Sequence, residues 1–246
     1  MGGLRERWRG FTDLLLQAQC PLCDRTAVTA FCQYCQRQVQ QCQLADANWA
    51  HHEHLPILAW GRYGGALRQA IAAFKYNNHP ELAQPFAHWL AHTWLNASAR
   101  AALTALTVVP IPMHPSKRQQ RGFNQAELLA THFCTQTRLR YQPHGLERSR
   151  ETAAQFQLTA RDREQNLAHA FSLGDAFRRQ PPPGSVLLLD DIYTTGATAR
   201  AAAQTLRRHG IRVHGVVVLA RAEWEQGQST GYRGQGAAKR PGQEAG

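Results

Sequence analysis

Long hydrophobic runs are missing from this 246-residue chain, and none approaches the roughly 18 residues of a membrane-spanning helix. The apolar stretch Leu14 to Leu16 is too short for a secretory signal. We therefore expect a cytoplasmic protein with no membrane insertion. Acidic residues are also scarce, since 17 Asp and Glu stand against 28 Lys and Arg, a formal net charge of +11. This surplus favours polyanionic partners such as nucleic acid or phosphorylated small molecules, although an ordinary solvated surface explains it equally well.

The chain has six cysteines, and four of them form two Cys-X-X-Cys pairs, Cys20 with Cys23 and Cys32 with Cys35. Each pair can direct two thiolates at one tetrahedral ion, so that the second pair completes the shell. In a cytosolic protein this spacing favours a structural zinc ion over disulfides. We predict a zinc-binding module over residues 1–45.

The segment after this module, residues 44–56, is polar and rich in histidine, which predicts a linker. His51, His52 and His54 could suggest a second metal site, but four thiolates already complete one shell, so we interpret them as linker residues. Cys42 could replace a zinc ligand, although a packed or free thiol is the simpler interpretation.

Helical spacing of apolar residues predicts two helices further on, GALRQAIAAFKY and ELAQPFAHWLAHTWL, and their aromatic residues are interpreted as core. Tyr63 and Lys75 are candidates for ligand contact, but packing and solvation explain them more simply. Both helices are therefore assigned to the scaffold of a main domain over residues 46–222.

A strand that begins at Thr107, TVVPIPMH, ends at prolines and opens into the loop SKRQQRGFNQAE. Asn124 followed by Glu127 is a capping-box pattern, so the next helix is expected to begin at Gln125. Three cations lie in the loop before it: Lys117, Arg118 and Arg121. Cations beside a helix N-terminus make a natural setting for an anion, with solvated charge as the alternative.

Two segments lack the patterns of packed structure. Residues 146–171 are basic with little apolar periodicity, which predicts a mobile arm, a surface helix being the alternative. Residues 223–246 are rich in glycine and polar residues and are predicted to be disordered.

The stretch VLLLDDIYTTGAT, Val186 to Thr198, carries the strongest functional signal. Its apolar run indicates a central parallel strand, and open α/β sheets place ligands at the carboxyl ends of such strands. A helix closed by Gly210 and the apolar strand VHGVVVLAR follow and complete a βαβ unit. Asp190 and Asp191 are therefore expected to lie at a ligand site.

The turn after this strand fits one phosphate, held by backbone amides and by the hydroxyls of Thr194, Thr195 and Thr198. Gly196 and Ala197 keep side chains small where a phosphate must approach the backbone. A Walker motif would require a following lysine in glycine-rich spacing, which this segment does not have. Because the aspartates would repel a phosphate, they are expected to accept hydrogen bonds from the vicinal hydroxyls of a ribose. The implied ligand is a phosphorylated ribose.

The segment DDIYTTGAT with its preceding strand resembles the phosphoribosyl-pyrophosphate motif of type I phosphoribosyltransferases. This segment is preceded, in order, by the paired CxxC motifs, VPIPMHPSKRQQRGFNQAELLA and LERSRETAAQFQLTARDREQNLAHAF. The order of these four features resembles that of the ComF family. That family comprises phosphoribosyltransferase-like proteins associated with competence and DNA utilisation. The resemblance covers roughly Cys20 to Arg221. It implies an α/β fold, a type I phosphoribosyltransferase-like parallel sheet flanked by helices, with a hood, a mobile loop and the small N-terminal zinc module.

The same resemblance implies roles for individual residues. Asp190 and Asp191 would hold the ribose hydroxyls and, with Arg161, are the catalytic candidates. The 5-phosphate would be held by Thr194, Thr195, Gly196, Ala197 and Thr198. The turn with Pro112, Met113 and His114, followed by Arg118 and Arg121, resembles the pyrophosphate loop. The arm around Arg148, Arg150 and Arg161 resembles the flexible loop that closes over the diphosphate, without the lysine that such loops often carry.

Two functions follow from these features. The first is a phosphoribosyl-pyrophosphate-binding protein in DNA uptake or utilisation, with magnesium on the diphosphate and with single-stranded DNA and DNA-uptake proteins as partners. The alternative is an active phosphoribosyltransferase of nucleotide salvage or synthesis with an unknown acceptor. Such an enzyme would not need a zinc module, and no base-recognition segment is evident, which favours the first.

Overall fold

The computed structural model describes residues 18–97, 105–148 and 170–222. The strands in these ranges are β1 (Ala18–Gln19), β2 (Thr26–Ala27), β3 (Ala50–His52), β4 (Leu55–Arg62), β5 (Leu106–Pro110), β6 (Arg140–Tyr141), β7 (Leu146–Arg148), β8 (Phe171–Leu173), β9 (Ser185–Tyr193) and β10 (Val213–Arg221). The α-helices are α1 (Gln33–Gln40), α2 (Gly65–Tyr76), α3 (Ala83–Ala97), α4 (Pro115–Arg121), α5 (Gln125–Thr137), α6 (Asp175–Arg179) and α7 (Ala197–Arg208). No helix in the described ranges has the length and apolar character needed to cross a bilayer.

A six-stranded sheet with the order β3-β4-β10-β9-β5-β6 forms the centre of the molecule. All neighbouring pairs are parallel except the edge pair of β3 with β4. β9 occupies an interior position between β10 and β5, and Val186 to Leu189 are fully buried. Strands that are covered on both faces have continuous apolar sequences, which is why the apolar run of β9 predicted this strand clearly. The predicted α/β class with a mostly parallel sheet flanked by helices is confirmed.

The two faces of the sheet contact different layers. Leu187 and Leu189 belong to the core cluster that includes buried residues of α2, α3 and α5. Val186 and Leu188 belong to a second cluster that includes residues of α7, β7 and β8. Because side chains alternate along a strand, the next two residues, Asp190 and Asp191, are directed toward different layers.

The cysteine-bearing segment packs on the main domain through an aromatic contact. Phe31 lies 5.9 Å from the Phe86 ring and 6.2 Å from the Trp89 ring, measured between centroids. Trp89 in turn stacks on Trp60 of β4 at 4.9 Å. A segment with two two-residue strands and one short helix is thus joined to the core of the sheet domain.

Two sequence-based predictions are wrong. Residues 44–56 are not simply a linker, because β3 forms an edge strand and β4 begins at Leu55. Backbone pairing with β4 overrides the polar composition of that segment. The predicted loop after β5 contains the short helix α4, whose N-terminus is capped by the His114 side chain.

The predicted start of one helix is confirmed. The capping pattern correctly located the start of α5, since the Asn124 side chain accepts a hydrogen bond from the Ala126 amide. The prediction of a mobile arm is wrong at the two ends of that segment, because Leu146 and Phe171 are buried and belong to the paired antiparallel strands β7 and β8. The middle of the arm, residues 149–169, and the predicted disordered tail, residues 223–246, lie outside the described residues.

Replacing Phe31 by alanine should destabilise the protein by about 3–5 kcal/mol, because it deletes a buried aromatic ring that joins the cysteine-bearing segment to α3. The free energy of unfolding in urea measures the effect. Val28→Ala is the control in the same segment, since Val28 is fully exposed and its loss should change stability by less than about 0.5 kcal/mol. Equal effects of the two substitutions would contradict this docking.

Candidate functional site

A small polar pocket lies at the carboxyl end of β9. Its lining combines the end of β9, the following turn and the first residues of α7, with one residue of β10: Asp190, Ile192, Tyr193, Thr194, Thr195, Gly196, Ala197, Thr198, Ala199 and Val218. The structure therefore brings together Asp190 and the five residues predicted to hold a phosphate.

The turn depends on glycine at position 196. Gly196 has a φ of +77° and directly precedes α7, so it adopts a left-handed conformation at the helix N-terminus. A Cβ atom at this position would collide with the Tyr193 hydroxyl. Tyr193 is buried, and its hydroxyl lies 3.1 Å from the Nδ1 atom of His52. The tyrosine thus fills the space beneath the turn.

Arg200 braces the same turn from α7. Its NH1 group donates a 2.7 Å hydrogen bond to the Thr195 carbonyl, and its Nε lies 2.8 Å from the Glu53 carboxylate. Glu53 and His54 both have positive φ values and form the two-residue turn between β3 and β4. The segment that the sequence suggested as a linker therefore supports the pocket through His52 and Glu53.

Asp190 is an unusual carboxylate. Burial raises its pKa to about 7, and repulsion from Asp191 adds to this shift. One carboxylate oxygen of Asp190 accepts a 2.8 Å hydrogen bond from the Asp191 amide. A carboxyl group with this pKa exchanges between neutral and charged forms near neutral pH, so it can donate or accept a hydrogen bond from a ligand.

Asp191 is held by a lysine that sequence reasoning set aside. The Asp191 carboxylate is 2.8 Å from the Nζ atom of Lys75 at the end of α2. Burial lowers the pKa of Lys75, but attraction from Asp191 outweighs it and the net shift is upward. No local signal singled out Lys75, since Arg68, seven residues earlier on the same helix, is a second cation.

Arg148 reaches the site from β7. Its guanidinium lies over the Phe171 ring at 5.4 Å. Burial lowers the pKa of Arg148, and the charge of Asp190 opposes that shift. The structure thus brings the first arginine of the predicted arm toward Asp190. Arg150 and Arg161 lie outside the described residues.

The predicted pyrophosphate turn follows β5, the neighbour of β9, but its residues are not among those that line the pocket. His114 accepts a hydrogen bond from the Ser116 amide and caps α4. Arg118 forms an ion pair with Glu127 at 3.1 Å. Arg121 donates a 3.0 Å hydrogen bond to the Gln125 side chain. Met113, also partly exposed, lies between this helix and β5, and a pyrophosphate role for the turn stays a prediction.

The four paired cysteines form a second candidate site, remote from the pocket in sequence. The sulfur atoms of Cys20, Cys23, Cys32 and Cys35 all lie within 4.8 Å of one another. The Cys23 and Cys32 sulfurs are 3.6 Å apart, close to the roughly 3.8 Å edge of a tetrahedron with zinc–sulfur bonds of about 2.3 Å. A backbone hydrogen bond from the Cys35 amide lowers the pKa of Cys32 to about 7, whereas burial raises the pKa of the Cys35 thiol. The cluster can hold a metal ion such as zinc.

The sheet, the polar pocket at the end of β9 and the cysteine cluster together describe an α/β protein with a segment that could hold a metal ion. No family model matches the chain. It is 30% identical over 217 residues to DNA utilization protein YhgH of Escherichia coli O6:H1, covering 82% of this chain and 89% of the relative. It is 27% identical to Competence protein F of Haemophilus influenzae, over 87% of this chain and 95% of the relative. It is also 27% identical to Competence protein ComFC of Bacillus subtilis, over 78% of this chain and 72% of the relative. The chain belongs to the ComF family.

Cys32→Ser should remove most of the bound metal, because a closed tetrahedral site loses one of its four thiolates. Elemental analysis of purified protein should find about one zinc ion per chain before the substitution. Cys42→Ser is the control, since Cys42 lies outside the cluster. Protein without metal, or equal metal loss in both variants, would contradict the assignment.

Asp190→Asn should change how stability depends on pH. The folded pKa of Asp190 is about 7 and its ordinary value is 3.8, so the unfolded chain loses this proton first as pH rises. The Asp190 carboxyl therefore lowers the free energy of unfolding progressively as pH rises from ~4 to ~7. Over this range the asparagine variant should become more stable relative to the parent, by on the order of a few kcal/mol at most. Urea unfolding across that range measures the difference.

Asp175→Asn provides a control of opposite sign, because the hydrogen bond with Arg178 lowers the pKa of Asp175. Its carboxylate contributes stability that is fully present above pH ~4 to 5 and is lost as pH falls below that range, so that variant should be less stable than the parent by a nearly constant amount up to pH ~7. Parallel pH profiles for the parent and Asp190→Asn would show that Asp190 titrates normally.

Proposed function

We propose that this chain binds phosphoribosyl pyrophosphate, together with Mg²⁺, in the pocket at the end of β9, and that it acts in DNA uptake or utilisation in the cytoplasm. The observation that carries the proposal is the pocket itself, in which a phosphate-sized turn and a titratable carboxylate line one small volume. The corresponding fold is a type I phosphoribosyltransferase-like sheet.

The phosphate end of the ligand is expected at the turn Thr194 to Thr198. Three threonine hydroxyls and the amides at the N-terminus of a 12-residue helix are donors suited to an anion. The left-handed Gly196 exposes backbone amides without a side chain in the way. The neighbouring Arg200 fixes the Thr195 carbonyl through its hydrogen bond.

The ribose end is expected at Asp190 rather than equally at both aspartates. Asp190 lines the pocket, whereas Asp191 is 6% exposed and held by Lys75. Asp190 would bind the ribose hydroxyls, while Asp191 would keep Lys75 in place beside them. Arg148 would contribute charge on the opposite side, where the diphosphate and its Mg²⁺ would lie.

The thiolate cluster would hold a structural zinc ion. Four thiolates close the shell, so the ion would stabilise the fold of the short segment and would have no open position for a substrate.

The role in DNA metabolism is supported by the relatives, whose names describe competence and DNA utilization. The net charge of +11 is compatible with single-stranded DNA as a partner. Proteins of the DNA-uptake machinery would be the other partners. Single-strand affinity that falls steeply with added salt would support this part of the proposal.

Titration calorimetry with phosphoribosyl pyrophosphate and Mg²⁺ should show binding to the parent chain. Asp190→Ala should abolish detectable binding, since it removes the acceptor for the ribose hydroxyls. Gly196→Ala should weaken binding at least tenfold, because its Cβ would collide with the Tyr193 hydroxyl and distort the phosphate turn.

Gly210→Ala is the matched control for the glycine variant. Gly210 also has a positive φ, +73°, but nothing lies within 4 Å of an added Cβ. That substitution should therefore cost about 1 kcal/mol of stability and leave ligand affinity unchanged. Unchanged affinity in Asp190→Ala and Gly196→Ala would refute the assigned pocket.

A further inference from the structure

The stretch that carries α7 and β10 is basic throughout. Residues 192–222 contain five arginines and no Asp or Glu. Two of them, Arg207 and Arg212, are exposed, and within the described ranges neither side chain has a carboxylate partner. The charge of these two guanidinium groups is therefore not neutralised by the described part of the molecule.

The two arginines share one concave surface, which we call the amino-end groove. It lies between the end of α7 and the first residues of β9 and β10, and both Arg207 and Arg212 line it. A second groove adjoins it, since Ile211 lines both, and this one is lined by Arg208 and Arg178. Arg178 is paired with two carboxylates, but the described residues that line the two grooves include no Asp or Glu.

Helix stability accounts for only part of this charge. Cations in the last turn of a helix interact favourably with its C-terminal carbonyls, and Arg207 and Arg208 occupy that turn of α7. Arg207 also donates a 3.4 Å hydrogen bond to the His54 carbonyl, which uses one of its five N–H groups. Arg212 lies beyond the end of α7, so neither role explains it. The groove therefore presents guanidinium groups to solvent that can bind an anion.

An aromatic ring of fixed orientation also lines the amino-end groove. His214 is partly exposed there. Its ring is nearly perpendicular to those of Trp49 and Trp94, with centroids 5.3 Å and 6.1 Å away. Burial lowers the pKa of His214, so its imidazole is neutral near pH 7 and offers a π face instead of a charge. Histidine is among the side chains on which unpaired bases stack.

We propose that the amino-end groove binds single-stranded DNA, with the guanidinium groups of Arg207 and Arg212 on its phosphates and a base stacked on His214. Arginine matches the geometry of phosphate, and single-strand sites combine a basic groove with rings that stack bases. The inference rests on the proposed role in DNA utilisation and adds the surface that contacts the strand.

The groove and the phosphoribosyl pocket lie at opposite ends of β9. Ser185, the first residue of this strand, lines the groove, whereas Tyr193, the last, lines the pocket. A nine-residue strand rises about 3.3 Å per residue, so roughly 26 Å separate them. DNA in the groove therefore leaves the pocket open, and the two ligands bind the same chain together.

The test is fluorescence anisotropy of the full chain with a fluorescein-labelled oligothymidylate of about 20 nucleotides. The double variant Arg207→Ala, Arg212→Ala should bind at least about tenfold more weakly than the parent at ~100 mM salt. The slope of log affinity against log salt concentration should fall by about 1.4, because each lost phosphate contact contributes about 0.7.

The matched control is the double variant Arg68→Ala, Arg140→Ala, which loses the same charge. Both residues are exposed and line neither groove, so affinity should fall by less than about threefold. Both double variants should keep the urea midpoint of the parent, which shows that the fold is intact. An equal loss of affinity in the two double variants would overturn the groove, even though the protein binds DNA.

The remaining outcomes separate this proposal from the others. A parent chain that does not bind the oligonucleotide would overturn the groove and the DNA partner, but not the phosphoribosyl pocket, which calorimetry tests separately. Displacement of the oligonucleotide by saturating phosphoribosyl pyrophosphate would place the strand at the pocket and overturn the groove. Displacement by a polyglutamate peptide as readily as by unlabelled oligothymidylate would indicate an acidic protein partner and would overturn the assignment to DNA.

Discussion

Two adjacent carboxylates at the end of a buried strand are the constraint on which the surrounding structure depends. Removing a carboxylate from water costs several kcal/mol unless charge and hydrogen bonds compensate. Asp190 and Asp191 also repel each other. Alternation along β9 directs them to different layers, and each layer supplies a cation, Lys75 from α2 and Arg148 from β7. The compensation is unequal, because Asp191 gains a direct ion pair while Asp190 has a raised pKa.

This inequality gives the two aspartates different roles. Asp191 holds the Lys75 side chain at the end of α2 through the ion pair. Asp190 lines the pocket and can change its protonation state when a ligand arrives. The phosphate turn is held independently by Tyr193 beneath Gly196 and by Arg200 on the Thr195 carbonyl. A ligand bound as proposed would meet a turn that is already shaped and a carboxylate whose charge can still change.

The parts that the sequence predicted are those specified by near neighbours along the chain. The apolar run of β9, the glycine-bearing turn, the cap at Asn124 and the cysteine spacing are each encoded within 16 residues or fewer. The roles of Lys75 and His52 were not predicted, because their partners Asp191 and Tyr193 lie 116 and 141 positions away in the sequence. No local sequence pattern indicates such pairs. Strand β3 was not predicted for the same reason, since a three-residue edge strand is defined by its pairing with β4 and not by periodicity.

The most direct measurement is a crystal structure of the full chain grown with phosphoribosyl pyrophosphate and Mg²⁺. The predicted result places the 5-phosphate on the amides and hydroxyls of Thr194 to Thr198, with the ribose hydroxyls on Asp190 and the Lys75–Asp191 ion pair intact. A ligand bound elsewhere would contradict the account of this site. So would a turn from Thr194 to Thr198 that holds neither ligand nor sulfate when the crystal is grown at a saturating ligand concentration.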